Sequence, residues 1–529
     1  MTENDARPTP SPSDAATQIP LSPPPAVGER TPRRPAPPRR RPTLRGEAPT
    51  ESMPMLGSLR GSPYRDPRVT RAVAEEHAVT EVIDLCLRIA EVMLRSGAAA
   101  PTVEAAVNAI ALTGGIQHLD VDLTMQSLHI QARTPSGSNV TRLRVVHGPQ
   151  MDFARLAAIH SLVDDIVSGE VEVDQARARV REIRRAPRTW ARWMVVLGEG
   201  MLAAGVAMAL GAGALGVLVA LLTAVVVERT LRLVSRFYLP DFYTGAIGGA
   251  VATFVAFGAY LVGRVEWMPM SPSDFAFVVA GGIVALLPAR SIKLAMEDII
   301  GGYSVTGTAR LVAVLMHSFG LIVGVAGGLG ISMQLVRALG IVLEPPQVDQ
   351  LAWASANPPT VVLGSAVLGL GGAVTLHCSR QMLLPATVLT VLTVVVAAAM
   401  TQSGVGRITA TGLAAVVMGF AARVLALRAD WPPITLSLPA SFGLMPGLSI
   451  FIGLYHLTVP DGSTYQASSG SGWESVMTAL GVLMALATGT TLGELIAAPL
   501  DSPVNRRRRM LVGRQGHTNH AAEDPTPDM

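Results

Sequence analysis

Residues 343–359, LEPPQVDQLAWASANPP, form the polar, proline-bearing stretch on which the fold of this chain turns. On either side of it, from about Trp193 to Ala498, apolar runs follow one another almost without interruption. Before it they lie near 193–211, 214–234, 242–263, 275–290 and 310–330; after it, near 360–378, 382–400, 408–427, 434–455 and 474–498. About 20 apolar residues let an α-helix cross the ~30 Å hydrocarbon layer of a bilayer. The stretch therefore divides ten expected spans into two sets of five. An odd number per half sends the second half into the membrane in the opposite sense, the arrangement from which carriers build a central site. The expected fold is a membrane all-α protein, ten transmembrane helices in two inverted five-helix repeats.

Loop charge fits that count. With the N-terminus inside, inner connections carry Arg229, Arg232, Arg236, Arg290, Lys293, Arg310, Arg380, Arg423 and Arg428, and outer ones only Arg264, Arg337 and Arg407. Basic residues concentrate on the cytoplasmic side, so a multi-pass protein of the bacterial cytoplasmic membrane with both termini cytoplasmic is expected. The composition agrees: 49% of the 529 residues are hydrophobic and 15% charged, against ~25% charged in soluble domains. The net charge of +3 does not indicate nucleic acid, because the basic residues flank spans and form no aromatic-interleaved patch.

Residues 1–75 are dense in Pro and Arg (PPPAVGER, RTPRRPAPPRRRPTLR). Such a segment cannot bury enough apolar surface to offset its ordering entropy, and a disordered tail able to touch anionic lipid is expected. Residues 501–529, with Arg506–Arg509, read as a second disordered basic tail. Residues 76–190 read as a small cytoplasmic α+β domain. Val79–Leu94 has helical spacing closed by Ser96–Gly97, and Pro101 opens a second helix. His118–Ile130 and Thr141–Val146 alternate as strands, and helices return at Met151–Val167 and Val173–Ile183. The first long apolar run begins only near Trp193, so no signal peptide is expected and this part should stay inside. The division is thus 1–75, 76–190, a first repeat 191–342, an external connector 343–359, a second repeat 360–500, and 501–529.

Catalytic chemistry has no motif here: GxSxG, P-loop and HExxH patterns are missing. Cys86 and Cys378 build neither a disulfide framework nor a zinc set. His118, Asp120 and Asp122 share a strand face that could ligate a metal or simply face water. No cofactor is expected.

The chemistry concentrates at Leu286–Arg310, LLPARSIKLAMEDIIGGYSVTGTAR. This segment meets Pro288 and carries Arg290, Lys293, Glu297 and Asp298 before Gly301, Gly302, Gly307 and Arg310. A charge held at membrane depth costs a few kcal/mol, so these groups should pair or face water. Pro and Gly free backbone groups that can hold an ionic substrate. In the second half, Leu438–Tyr455 (LPASFGLMPGLSIFIGLY) is broken by Pro439, Gly443, Pro446, Gly447 and Gly453. Leu287–Pro288–Ala289 followed by Gly301–Gly302–Tyr303 is echoed by Leu438–Pro439–Ala440 followed by Gly453–Leu454–Tyr455. Further ionisable residues inside apolar runs are Glu199, Glu228, His317, His377 and Glu494.

Through MEDIIGGYSVTGTAR, LMPGLSIFIGLY and TTLGELIA, and through LRSGAAAPTVEAAV in the N-terminal part, the chain resembles the threonine/serine exporter family over roughly residues 78–500. The resemblance implies a cytoplasmic N-terminal domain, ten spans, and export of small amino acids against proton entry. It also implies kinship with relatives whose two halves are separate proteins, one such pair exporting succinate. By motif it points to Asp298, Gly302, Arg310, Pro446, Gly447 and Glu494 as substrate- or proton-binding. Glu297 is an extra acid beside Asp298, which leaves open which of the two acts.

The leading expectation is a proton-coupled exporter of threonine and serine, with protons and the lipid bilayer as its other partners and self-association left open. The zwitterion's ammonium would meet Asp298 or Glu494, and its carboxylate Arg310 or an unwound N–H. A dicarboxylate exporter would rely instead on Arg290, Lys293 and Arg310. An intramembrane hydrolase needs a paired nucleophile and base, and His317 and Ser318, adjacent on one helix, point apart. A non-transporting scaffold is disfavoured by the intramembrane charges.

Overall fold

The computed structural model describes residues 67–501 except 125, 135–136, 147, 149, 264–271, 285, 288, 339–356 and 459–467. Most of the two expected tails, most of the connector, Arg264 and Pro288 lie outside the described residues, as does the side chain of Arg290, while residues 67–75, expected within the first tail, are helical.

The chain opens with helices α1 (Pro67–Ser96) and α2 (Ala100–Thr113). Strands β1 (Leu119–Leu123), β2 (Ser127–Arg133) and β3 (Asn139–Val145) follow, then α3 (Phe153–Val167) and α4 (Val173–Arg185). The strands form one antiparallel sheet in the order β1-β2-β3. Leu128, Ile130 and Ala132 of β2 turn inward at period two onto α1, while β1 exposes Asp120 and Asp122 opposite Gln131 and His129. Ile83, Leu85 and Ile89 of α1 are fully buried against this layer.

The remaining chain is helical: α5 (Arg192–Leu210), α6 (Ala214–Val234), α7 (Asp241–Val262), α8 (Pro272–Val284), α9 (Ala289–Ile300) and α10 (Ser304–Ala338) in the first half. The second half holds α11 (Pro358–Thr375), α12 (Arg380–Gln402), α13 (Arg407–Ala429), α14 (Ile434–Ser441), α15 (Gly447–Thr458) and α16 (Ser468–Ala497). Among the described residues nine helical stretches are long and apolar enough to cross a membrane, and Ser273–Val284 is a shorter apolar helix. The chain is a mostly helical, multi-pass membrane protein.

Three of the expected membrane runs change. The run near 275–290 stops at Val284, and α9 starts separately at Ala289. The run near 310–330 becomes the 35-residue α10, about 52 Å long and well beyond a ~30 Å hydrocarbon layer; its first turns meet the N-terminal layer instead. The run near 434–455 divides into α14, a 3₁₀ turn at Phe442–Leu444, and α15. The helix passes through Pro439 and gives way at Met445, whose backbone is extended. The LPA echo therefore does not lay one break on the other.

Packing in the two halves is matched. Helices α5·α6, α6·α7, α7·α10 and α9·α10 touch in the first half; α11·α12, α12·α13, α13·α16 and α15·α16 touch in the second. Between halves α5 lies on α11, α9 on α16, and α15 on α10. Small residues let these backbones close up: a Cβ on Gly320 would come within 1.9 Å of the Phe242 carbonyl, and one on Gly493 within 2.1 Å of that of Val416.

Candidate functional site

Helix α9 is amphipathic in an unusual setting, because both of its faces meet polar chemistry. Lys293 and Glu297, one turn apart, point into the packed interior. The Lys293 Nζ lies 2.9 Å from Glu494 Oε1 on α16 and 3.4 Å from Glu297 Oε1, and it donates to the hydroxyl of Ser437 on α14. Ser437 in turn donates to Glu494 Oε1 at 3.1 Å. Lys293 is 3% exposed, so it belongs to this cluster and drops out of the loop-charge comparison. Two carboxylates here share one ammonium, and with all three ionised the cluster holds one negative charge in excess. Such a surplus at low dielectric strongly favours capture of a proton or another cation. Beside Lys293 is a void of about 10 Å³ lined by Ser441, Leu483, Leu486, Ala487 and Thr490, room for one water.

The opposite side of α9 lines a cavity of about 670 Å³ with Ser291 and Leu294. Glu199, Glu228, Asp241, Arg310 and His317 also line it, together with residues of the N-terminal layer, Arg95, Gln126 and Met151 among them. Neither Lys293 nor Glu494 is among its lining residues. Helix α9 thus stands as a partition between the cavity and the charged cluster.

The last turn of α9 has a different task. Asp298, fully buried, accepts from the Ala100 amide at 2.8 Å and pairs through Oδ2 with Arg310 Nε at 3.1 Å. Helix α2 has no side-chain cap of its own, so the Asp298 carboxylate serves as one. Gly302, with φ +93°, ends α9 as Gly302 N–H donates to Ile299 and Tyr303 N–H to Asp298, the paired bonds of a Schellman turn. Nearby, a Cβ on Gly301 would fall 2.1 Å from Pro101 Cγ, and the Thr306 hydroxyl donates to the Leu123 carbonyl at 2.9 Å.

The second docking point is the α11–α12 connection. Phe153 and Ala154 amides, at the start of α3, donate to the Leu376 and His377 carbonyls at 3.1 and 3.0 Å, and the Trp190 indole donates to Cys378 at 2.8 Å. Burial holds the His377 imidazole below the ordinary histidine range, Arg188 and Arg155 adding to this and Asp152 opposing it. Burial also raises the Cys378 thiol, and pushes that of Cys86 up to about 12.

The structure thus brings Glu297 and Glu494 together and pairs Asp298 with Arg310 at a separate place. Pro446 precedes and Gly447 begins α15 where it crosses α8, a Gly447 Cβ falling 3.0 Å from the Ala280 carbonyl, with Phe275 and Phe451 rings edge to face nearby at 5.7 Å. Glu228 is paired with Arg232 one turn on. Among the described residues no three metal-ligating side chains gather. Sequence reasoning did not single out Ser437, and treated Lys293 mainly as a dicarboxylate ligand. One signal was available: Lys293 is the chain's single lysine among 42 basic residues.

A family described as "Putative threonine/serine exporter" matches residues 84–332, and one described as "Threonine/Serine exporter, ThrE" matches residues 361–496. A Mycobacterium tuberculosis protein named "Probable threonine/serine exporter" is 31% identical over 79% of this chain and 77% of its own length. The "Threonine/serine exporter" of Corynebacterium glutamicum is 27% identical over 87% of this chain and 90% of its own. No solved structure matches.

Proposed function

Since the chain belongs to the threonine/serine exporter family, whose members are transporters and not enzymes, we propose that it exports threonine- and serine-type amino acids in exchange for protons. The observation that carries this is the Lys293–Glu297–Glu494–Ser437 cluster, built by α9 from one half and by α14 and α16 from the other. A proton or a substrate ammonium can each neutralise the surplus carboxylate, but not both at once, and that competition couples the two flows in opposite directions. The substrate carboxylate is met by Lys293 and the Ser437 hydroxyl.

The cavity under the N-terminal layer is the cytoplasmic vestibule in this proposal, and a shift of α9 opens the cluster to it. Asp298, Arg310 and Gly302 form the clasp at the foot of that helix, while Pro446 and Gly447 form the matching break across the interface. We assign ten spans in two inverted repeats, 191–342 and 360–500, joined outside by 343–359, with 76–190 and both termini cytoplasmic. Support comes from the matched packing of the halves and from the eight inner against three outer basic residues left once Lys293 is set aside.

A dicarboxylate would add negative charge where it is already in excess, so it ranks second. Efflux of labelled threonine, serine and succinate from preloaded vesicles tests the assignment. Faster release of the amino acids is expected; release of succinate alone would reverse the order.

A further inference from the structure

His317 of α10 takes no part in the proposed binding cluster, yet its ring is held at both nitrogens. Nδ1 lies 3.2 Å from the carbonyl oxygen of Asp241, the first residue of α7. Nε2 lies 3.0 Å from the carbonyl oxygen of Leu286, in the break between α8 and α9. A carbonyl oxygen only accepts, and a neutral imidazole donates from one nitrogen only. Both contacts are hydrogen bonds only when the ring carries two protons. In the neutral ring one nitrogen would turn its lone pair toward a carbonyl.

The surrounding backbone leaves little room to relieve that mismatch. The Asp241 carbonyl is also held by the Thr244 hydroxyl at 2.8 Å, and a Cβ on Gly245 would come within 2.5 Å of the carbonyl of His317 itself. The ionisable groups sharing the cavity with His317 are Arg95, Glu199, Glu228, Asp241 and Arg310. On the other packed elements, Lys293, Glu297 and Asp298 of α9 and His456 of α15 are not among the described residues lining it.

We propose that His317 is a proton-operated latch on the break before α9: protonated, it ties Leu286 to the start of α7 and holds the partition in place; neutral, it releases one tie and lets α9 shift. A latch here answers to the pH of the cavity and acts by positioning α9 without touching substrate. The inference rests on the proposal that α9 separates vestibule and cluster.

The test is exchange of labelled threonine across vesicles of the full chain, with equal pH and saturating threonine on both sides, so that protons compete poorly at the carboxylates. Wild type should slow roughly tenfold from pH 8 to pH 5.5, the lower range for a hydrogen bond to a charged group. His317→Gln presents a donor nitrogen and an acceptor oxygen and takes up no proton, so it should keep the alkaline rate at both pH values; His317→Asn is read in the same way. Asp241→Asn retains the carbonyl that His317 uses and should still slow in acid. Hydrogen exchange of residues 289–300 in the wild type, corrected for intrinsic rate, needs no variant and should show greater protection at pH 5.5. Acid slowing that survives in His317→Gln, or equal protection of α9 at both pH values, would overturn the latch. If Glu494→Gln exchanges normally while His317→Gln loses its acid slowing, the binding cluster is misassigned and the latch stands; the converse removes only the latch.

Discussion

The backbone amide of Ala100 donates to Asp298 Oδ1 at 2.8 Å, so a carboxylate at the foot of α9 caps a helix 198 residues earlier in the chain. Through that contact the N-terminal layer and the partition helix share a foundation. Asp298→Asn keeps an acceptor for the amide and loses only the charge facing Arg310, whereas Asp298→Ala loses both. Thermal unfolding in detergent should show the alanine variant losing about 2–4 kcal/mol and the asparagine variant about half of that. Equal losses would mean that the cap contributes nothing.

Gly301 and Gly302 are adjacent but constrained for different reasons. At Gly301 a methyl would strike Pro101 at 2.1 Å, while at Gly302 the space is open and φ is +93°. Gly302→Ala should cost about 1–2 kcal/mol from backbone strain alone. Gly301→Ala should lift α2 from α9, detected as faster proteolysis within residues 96–118 in the folded protein. Protection equal to wild type would show that the layer does not rest on this contact.

Both thiols are buried and raised, Cys86 to about 12 with its Sγ donating to the Val107 carbonyl at 3.8 Å. The native chain should therefore take up almost no maleimide at pH 7.5 and label at both cysteines on denaturation. That silence makes the natural sequence a usable background for topology. Ser469→Cys should label from outside intact cells and Ser161→Cys should not; the reverse pattern would invert the proposed orientation.

Burial lowers the His377 imidazole below its ordinary range, so the group takes up a proton more readily when unfolded than when folded. Its contribution to stability is intact above the ordinary imidazole pKa of ~6.5 and is lost as pH falls below it, by at most about 1.4 kcal/mol per pH unit. The melting temperature should fall between pH 7.5 and 5.5, and less steeply in His377→Asn, which also tolerates the left-handed backbone at this position (φ 54°). An unchanged slope would exclude the group.

Apolar length made the membrane helices legible, because it is a property of single segments. The breaks were legible as composition, since Pro and Gly cannot be hidden, but their positions were not. The chain continues through Pro439 and yields at Met445, because tertiary packing decides which weak point gives way. Motif resemblance favoured Asp298 over its neighbour. Which acid neighbours Lys293 follows from helix geometry: Glu297, four residues after Lys293, shares its face, while Asp298 is turned toward α2. Ser437 carries no charge and sits in an apolar run, so its contact with Lys293, 144 residues away, had no signature of its own.

The most direct measurement follows threonine and protons together. Proteoliposomes loaded with labelled threonine are given an external acid pulse, with internal pH recorded, for wild type and for Glu297→Gln/Glu494→Gln, each with its melting temperature. If proton and ammonium compete for the surplus carboxylate beside Lys293, wild type releases threonine as protons enter, and the folded double variant does neither. Wild-type efflux with unchanged pH dependence in the double variant would contradict it.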